Sequence, residues 1–275
     1  MAQESFNDRL ALITGGSSGI GLALAQLLVQ EGARVWLVAR RKDVLEAAQK
    51  TLLSLSADHR AEIFAADVTD AKQVQAAVDH VVGAAGVPDL LVNVAGASHP
   101  GYVQETALGT YHDMMNLNYF GIVNMVQAVL PGMLKRGSGY IVNFSSVAGF
   151  MAPFGYSAYV PSKYAVRGFS DSLRLELKPL GIRVSVVFPP DTDTPGMANE
   201  NKTKPYETRE AFSSKLVSPQ EVAKQTLRGM KRGRYVILPG SDPALYYSLM
   251  HLVGNGIYPI FDLLLAQARR KKPSS

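Results

Sequence analysis

The 275-residue chain contains no cysteine, which excludes disulfides, thiolate nucleophiles and thiolate metal sites. That fits a reducing compartment. Its five histidines, His59, His80, His99, His112 and His251, are scattered without metal-ligand spacing and read as solvated or structural. Neither an internal repeat nor a low-complexity tract interrupts the chain. The N-terminal stretch from Met1 to Arg9 carries no signal peptide and no apolar anchor. A strong charge imbalance is missing too. The net charge is +5, and Arg269, Arg270, Lys271 and Lys272 supply most of it, so a pI near 9.3 marks a basic tail and not a nucleic-acid-binding domain.

Proton chemistry is present in place of thiol or metal chemistry. Tyr159 and Lys163 stand four residues apart, one turn along the same helical face, and Ser146 lies upstream. A free phenol has a pKa of about 10 and is a weak acid or base at neutral pH. A neighbouring ammonium favours the phenolate and lowers that value toward the working range. A serine hydroxyl can hold a carbonyl or alcohol oxygen beside the phenol. Taken alone, the pair equally describes a surface tyrosine and lysine on an ordinary helix.

A hydride source would complete the chemistry, and the N-terminal region offers a place for one. The apolar run Leu10–Thr14 leads into Gly15-Gly16-Ser17-Ser18-Gly19-Ile20-Gly21, and an amphipathic stretch from Leu22 to Glu31 follows. Strand, glycine turn and helix in that order form a pyrophosphate cradle, because glycines let the backbone approach and the helix N-terminus favours the charge. Residues Arg34–Ala39 read as the second strand. An NAD site wants an acidic residue at its end, to accept from the ribose 2′-hydroxyl. This chain has Arg40, Arg41 and Lys42 there, which suit a 2′-phosphate and so NADP(H). A third strand, Glu62–Ala66, delivers Asp67 and Val68 to the adenine edge, although Asp67 could equally cap the helix that starts near Asp70. A fourth, Leu90–Val94, ends in Asn93-Val94-Ala95-Gly96, where small residues permit close approach to the cofactor. Apolar strands alternating with helical stretches along residues 10–190 read as α/β: one doubly wound, Rossmann-type parallel sheet with helices on both faces.

Together the glycine string, Asn93-Val94-Ala95-Gly96, Asn118, Ser146, Tyr159 and Lys163 resemble the short-chain dehydrogenase/reductase family from about residue 8 to about residue 200. The resemblance implies that Tyr159 is the general acid/base and that Ser146 orients the substrate oxygen. It implies that Lys163 lowers the tyrosine pKa and holds the nicotinamide ribose, and that Asn118 supports a water chain to solvent. Gly15, Ser17, Ser18, Gly19, Ile20, Gly21, Arg40, Arg41, Asp67, Val68, Asn93, Ala95, Gly96, Pro189, Thr192 and Thr194 would join Tyr159 and Lys163 in binding NADPH or NADP+. Spacing favours Ser146 over Ser145, and the Asn-x-x-Gly pattern favours Asn118 over Asn116. A homo-oligomer, dimer or tetramer, is implied by the same resemblance.

Residues 1–243 read as the reductase domain, with a substrate loop at 190–215. That loop opens with Pro189-Pro190-Asp191-Thr192-Asp193-Thr194-Pro195-Gly196 and continues through Glu200-Asn201-Lys202-Thr203-Lys204-Pro205. With Val38-Ala39-Arg40, this string is similar to the branch of the family that reduces 3-ketodihydrosphingosine, a long-chain ketone with an ammonium on the adjacent carbon. Asp191 or Asp193 would pair with that ammonium; helix capping by Asp193 and Thr194 is the rival role. Other readings are a reductase of a steroid, retinoid or acyl ketone, and a nucleotide-sensing protein without turnover. Residues 244–275 form an extension that is almost uncharged from Ala244 to Ala266 and broken at Gly254-Asn255-Gly256 and Pro259. Two short apolar helices lying on a membrane surface are expected, with Tyr246, Tyr247 and Tyr258 at headgroup level and the basic tail toward anionic lipid. Packing on the protein itself is the alternative. The expected location is the cytoplasmic side of a membrane, the endoplasmic reticulum if the cell is eukaryotic, with no nucleic acid and no metal involved.

Overall fold

A computed structural model describes residues 5–55, 61–212 and 214–272, and leaves the side chain of Asn255 undescribed; His59 lies outside these residues. Seven strands, β1 (Leu10–Thr14), β2 (Arg34–Ala39), β3 (Ala61–Ala65), β4 (Leu90–Asn93), β5 (Gly139–Phe144), β6 (Ile182–Val187) and β7 (Val236–Ile237), form one parallel sheet in the order β3-β2-β1-β4-β5-β6-β7. The strands read as continuous apolar runs because both faces of the sheet are covered. Along β1, Ala11 and Ile13 face one helical layer and Leu10 and Leu12 the other. Every residue of β1 is buried.

The first layer contains α1 (Gly19–Gln30), α2 (Lys42–Leu53) and α9 (Pro219–Lys231), which set Leu24, Leu28, Leu45, Leu227 and Met230 on the sheet. The second contains α3 (Ala71–Ala85), α4 (Leu108–Met115), α5 (Gly121–Arg136) and α6 (Tyr159–Leu177). Val78, Val81, Met125, Val129, Val166 and Leu173 pack there. A fully buried leucine such as Leu24 or Leu28 contributes about 1.5–3 kcal/mol. The continuous helical run Leu108–Arg136 is long and apolar enough to cross a membrane by composition. Here its inner side buries Met114, Ile122, Met125, Val126, Val129 and Met133.

The register of β1 places Thr14 beside Val38 of β2 and Asn93 of β4, so three strand ends meet at one edge. Strand order reverses between β1 and β4, which opens a crevice above their C-terminal ends. Asp70, not Asp67, caps α3, accepting from the backbone N–H groups of Lys72 and Gln73. Asp67 instead accepts from the Thr69 backbone and hydroxyl and pairs with Arg40 at 3.6 Å. The expected β3 is displaced by one residue, and β4 ends at Asn93, one residue before the expected bound. A π-helical turn at Asn116–Phe120 joins α4 to α5, and the sequence reading had no signal for it.

The C-terminal extension forms two helices, α10 (Ser241–Val253) and α11 (Tyr258–Lys271), joined by a short turn. One side packs on the domain. The Tyr247 ring meets Phe150 and Phe188, Phe261 meets Phe212, and Ile257 and Ala268 are buried. Tyr247 therefore serves as an inward anchor and is not free for a lipid headgroup. The basic tail divides as well: Arg269 and Lys272 turn toward Glu207, at 3.9 and 3.8 Å, whereas Arg270 and Lys271 are exposed and form no ion pair among the described residues.

Candidate active site

Helix α6 starts at Tyr159 because the Tyr156 carbonyl accepts from the N–H groups of both Tyr159 and Val160. Pro161, in the first turn, needs no intrahelical donor. One turn on, Lys163 is buried, its Nζ 5.6 Å from the centre of the Tyr159 ring and donating to the Phe144 carbonyl at 3.1 Å. Ser146 follows β5, accepts from the Ala148 N–H at 3.1 Å, and hydrogen-bonds the Tyr159 phenol. Ser145 points the other way and ties its hydroxyl to the Lys163 carbonyl at 2.8 Å, which pins α6 to the end of β5.

Asn118 sits in the π-helical turn and is completely buried, whereas Asn116 is exposed. Its amide donates to the Ala97 carbonyl and Ser162 hydroxyl, each at 2.9 Å, while its oxygen accepts from the Ala97 N–H at 2.9 Å. A Cβ on Gly96 would stand 2.8 Å from that oxygen and 3.4 Å from Lys163 Nζ. Glycine there leaves the Asn118 and Lys163 side chains facing one narrow gap.

The acidity of the phenol departs from the sequence expectation. Burial pushes Tyr159 above the ordinary phenol range, the charges of Glu200 and Asp191 push the same way, and the Ser146 hydrogen bond opposes them. Burial lowers Lys163 to about 8. The Lys163 ammonium is itself weakened by desolvation and donates to a carbonyl, and burial outweighs what it contributes to the phenol.

A cleft of about 1380 Å³ runs from the glycine turn past Tyr159 to the C-terminal helices. That exceeds the 300–1,000 Å³ typical of a single small-molecule site and leaves room for a dinucleotide and a second ligand. Gly15, Ser17, Ser18, Gly19, Ile20, Gly21, Arg40, Arg41, Asp67, Val68, Ala95 and Gly96 line one end. Ser18 precedes α1 without capping it through its side chain, so the first N–H groups of the helix meet the cleft. A Cβ on Gly15 would lie 2.7 Å from the Ala95 nitrogen, and one on Gly21 2.3 Å from the Gly15 carbonyl oxygen. This anion-binding cradle, with two arginines beyond it, fits a phosphorylated dinucleotide.

Pro189, Thr192 and Thr194 also line the cleft. Thr194 additionally caps α7 (Pro195–Thr203), and Thr192 bonds the Pro190 carbonyl. Asn93 does not face the cleft. Its amide donates to Asn143, whose own amide reaches Ser170, in a buried chain that stitches β4 to β5 and α6. Asp193 is exposed and lies away from the cleft, so only Asp191 can meet a ligand; its carboxylate accepts from Ser214 at 2.8 Å. Two cleft residues escaped the sequence reading, Tyr156 and Glu200. The sole available signal was a carboxylate inside a polar loop, which by itself reads as solvated. The opposite wall is apolar, formed by Tyr246, Leu249, Met250, Ile257, Phe261 and Leu264. His80 packs between Trp36 and Phe64. No metal-holding cluster occurs among the described residues.

Residues 9–205 match the family described as short chain dehydrogenase. The 3-ketodihydrosphingosine reductase of Mus musculus is 39% identical over 242 residues, 86% of this chain and 73% of that protein. The protein of the same name from Dictyostelium discoideum is 38% identical over 93% of this chain and 81% of its own length. Among solved structures, a short-chain dehydrogenase from Sphingobium yanoikuyae in complex with NADPH is 28% identical, with a TM-score of 0.78 over 91% of this chain and 95% of that one.

Proposed function

This chain belongs to the short-chain dehydrogenase family, and from that premise we propose that it reduces the 3-keto group of 3-ketodihydrosphingosine to sphinganine with NADPH. One observation carries the reading. Ser146, Tyr159 and Lys163 converge midway along a cleft with a dinucleotide cradle at one end and an apolar wall at the other. NADPH, when bound, supplies the hydride. Tyr159 gives its phenolic proton to the oxygen of the reacting carbonyl, and Ser146 holds that oxygen by a hydrogen bond. A phenol, with its ordinary pKa of about 10, carries its proton at neutral pH, as the direction of reduction requires. Lys163 and Asn118, on either side of Gly96, return a proton to the phenol from solvent. Arg40 and Arg41 hold the 2′-phosphate at the end of β2, and Ser17 and Ser18 receive the pyrophosphate.

The deciding assay follows NADPH oxidation with 3-ketodihydrosphingosine, beside a steroid and a retinoid ketone. Turnover of the amino-ketone at tenfold or greater efficiency over the others supports the assignment, and turnover of the others alone overturns it. Cofactor choice has its own test. The double variant Arg40→Ala/Arg41→Ala is expected to lose roughly 10–100-fold of its preference for NADPH over NADH, because charge-assisted bonds to phosphate contribute about 1.5–3 kcal/mol. Unchanged KM values for both cofactors would remove the arginines from the site.

The extension presents a second apolar side to solvent. Leu245 is 64% exposed, Leu252 86%, Ile260 52% and Leu263 59%. We assign this side to a membrane surface, with Arg270 and Lys271 toward anionic headgroups. The ketone would then enter between lipid and the wall at Tyr246, Leu249 and Phe261. In vesicle co-sedimentation with phosphatidylserine, Leu245→Gln/Leu252→Gln/Leu263→Gln is expected to weaken binding about tenfold or more. Equal sedimentation of variant and parent, or no sedimentation of the parent, would overturn the membrane assignment.

A further inference from the structure

Glu200 is a carboxylate buried where an apolar substrate channel has no use for one. It is 9% exposed, lies in α7, and lines the cleft beside Ser146, Tyr156 and Tyr159. The Tyr156 hydroxyl donates to its Oε1, and the Tyr156 ring stands 6.0 Å from that of Tyr159. Lys204 reaches the same Oε1 at 3.2 Å. Lys204 is not part of the cleft lining, so it approaches from behind. Oε2 receives no hydrogen bond among the described residues.

The carboxylate is held firmly. The helix that follows, α8 (Tyr206–Ala211), is tied to the segment preceding α6 by Thr208, whose hydroxyl donates to the Phe154 carbonyl at 2.8 Å. Behind it, the Tyr102 hydroxyl donates to Glu207 at 2.6 Å. A charge desolvated this far costs free energy unless it is fully paired. One lysine and one phenol share a single oxygen, and Oε2 is not sealed from solvent, which leaves it open to a ligand. Asp191, Glu221 and Asp242 also line the cleft, and the exposed Lys215 is too well solvated to balance these carboxylates. Lys163 keeps its charge while donating to the Phe144 carbonyl, and among the described residues it is the one buried ammonium in that lining. The catalytic end of the cleft is therefore short of positive charge.

We propose that Glu200, oriented by Tyr156, is the specificity-determining residue for a substrate that carries a protonated primary amine on the carbon next to the reacting ketone. This rests on the assignment of Tyr159 as proton donor to a lipid ketone and names what that site selects. The ammonium occupies the Oε2 side of Glu200, within reach of Asp191, while the ketone oxygen stays with Ser146 and Tyr159. Its positive charge also offsets the two carboxylates that hold the phenol proton tightly. Amine recognition and proton donation are thereby coupled.

The test compares 3-ketodihydrosphingosine with 1-hydroxyoctadecan-3-one, the same chain without the amine. Glu200→Gln keeps an acceptor for Tyr156 and should fold. Its kcat/KM is expected to fall about 30-fold or more on the amino-ketone and less than about threefold on the deamino-ketone. Glu200→Asp should recover part of the selectivity. Titration calorimetry of the full chain with dodecylamine and dodecanol supplies a readout without turnover: the parent prefers the amine, and Glu200→Gln binds both alike. Equal loss on both ketones, or an amine preference that survives Glu200→Gln, would overturn the proposal and leave Glu200 as a structural partner of Lys204. If dodecylamine binds through Glu200 while 3-ketodihydrosphingosine is not reduced, the amine subsite stands and the substrate assignment fails.

Discussion

Replacing Tyr159 by phenylalanine is expected to lower kcat for ketone reduction by roughly 10²–10⁴-fold, the usual contribution of a positioned general acid. The ring is retained, so its contact with Tyr156 at 6.0 Å and the start of α6 are preserved. Only the hydroxyl that meets Ser146 disappears. NADPH affinity, measured by fluorescence titration, should remain within about twofold, because the phosphate cradle lies at the other end of the cleft. Single-turnover rates separate chemistry from product release and should show the loss in the chemical step. Turnover within about tenfold of the parent would mean that another group donates the proton. Nearby hydroxyls offer no good replacement: Tyr156 is committed to Glu200 and its own phenol is pushed far above the ordinary range by burial and by that carboxylate.

Gly21→Ala should damage the cofactor site as severely from the opposite end. Its Cβ would meet the Gly15 carbonyl oxygen at 2.3 Å and carbon at 2.9 Å. Those atoms are backbone, and neither can swing aside. Relief requires α1 to move away from the turn, which carries Ser17 and Ser18 out of place and loosens the packing of Leu24 and Leu28. NADPH affinity is expected to fall about 100-fold or more, with a stability loss of about 1–3 kcal/mol from overpacking. Gly83→Ala is the control. It lies inside α3 with nothing within 4 Å of an added Cβ, and should leave NADPH binding unchanged while adding up to about 1 kcal/mol of stability. Equal NADPH affinities for Gly21→Ala and the parent, measured by the same titration, would detach the glycine turn from the cofactor.

What could be read from residues alone was whatever depends on short separations. Leu10–Thr14 and Arg34–Ala39 coincide with β1 and β2 because an apolar run bounded by turn residues is a local signal. Tyr159 and Lys163 fall on one side of α6 because the helical repeat brings residues four apart together. The choices between Ser145 and Ser146, and between Asn116 and Asn118, also followed spacing, and the structure brings Ser146 and Asn118 to the side where Tyr159 and Lys163 stand. Asn93 was misread for a different reason. Alternation along a strand decides which side chains face outward, and β4 turns Asn93 toward Asn143.

The sequence by itself determined the element order, the parallel sheet, the glycine turn and the serine–tyrosine–lysine spacing, since each rests on local periodicity and backbone permissiveness. Only tertiary structure decided the acidity of the phenol and the identity of the buried carboxylate. Both depend on desolvation and on charges brought in from distant segments. Glu200 lies 41 positions beyond Tyr159 in the chain, yet it shapes the electrostatics of the same phenol. Folding likewise divided the C-terminal extension between two duties, with Tyr247 and Phe261 turned into the protein and Leu252 and Leu263 out of it. An apolar segment states that it will leave water. It does not state which of its sides meets protein.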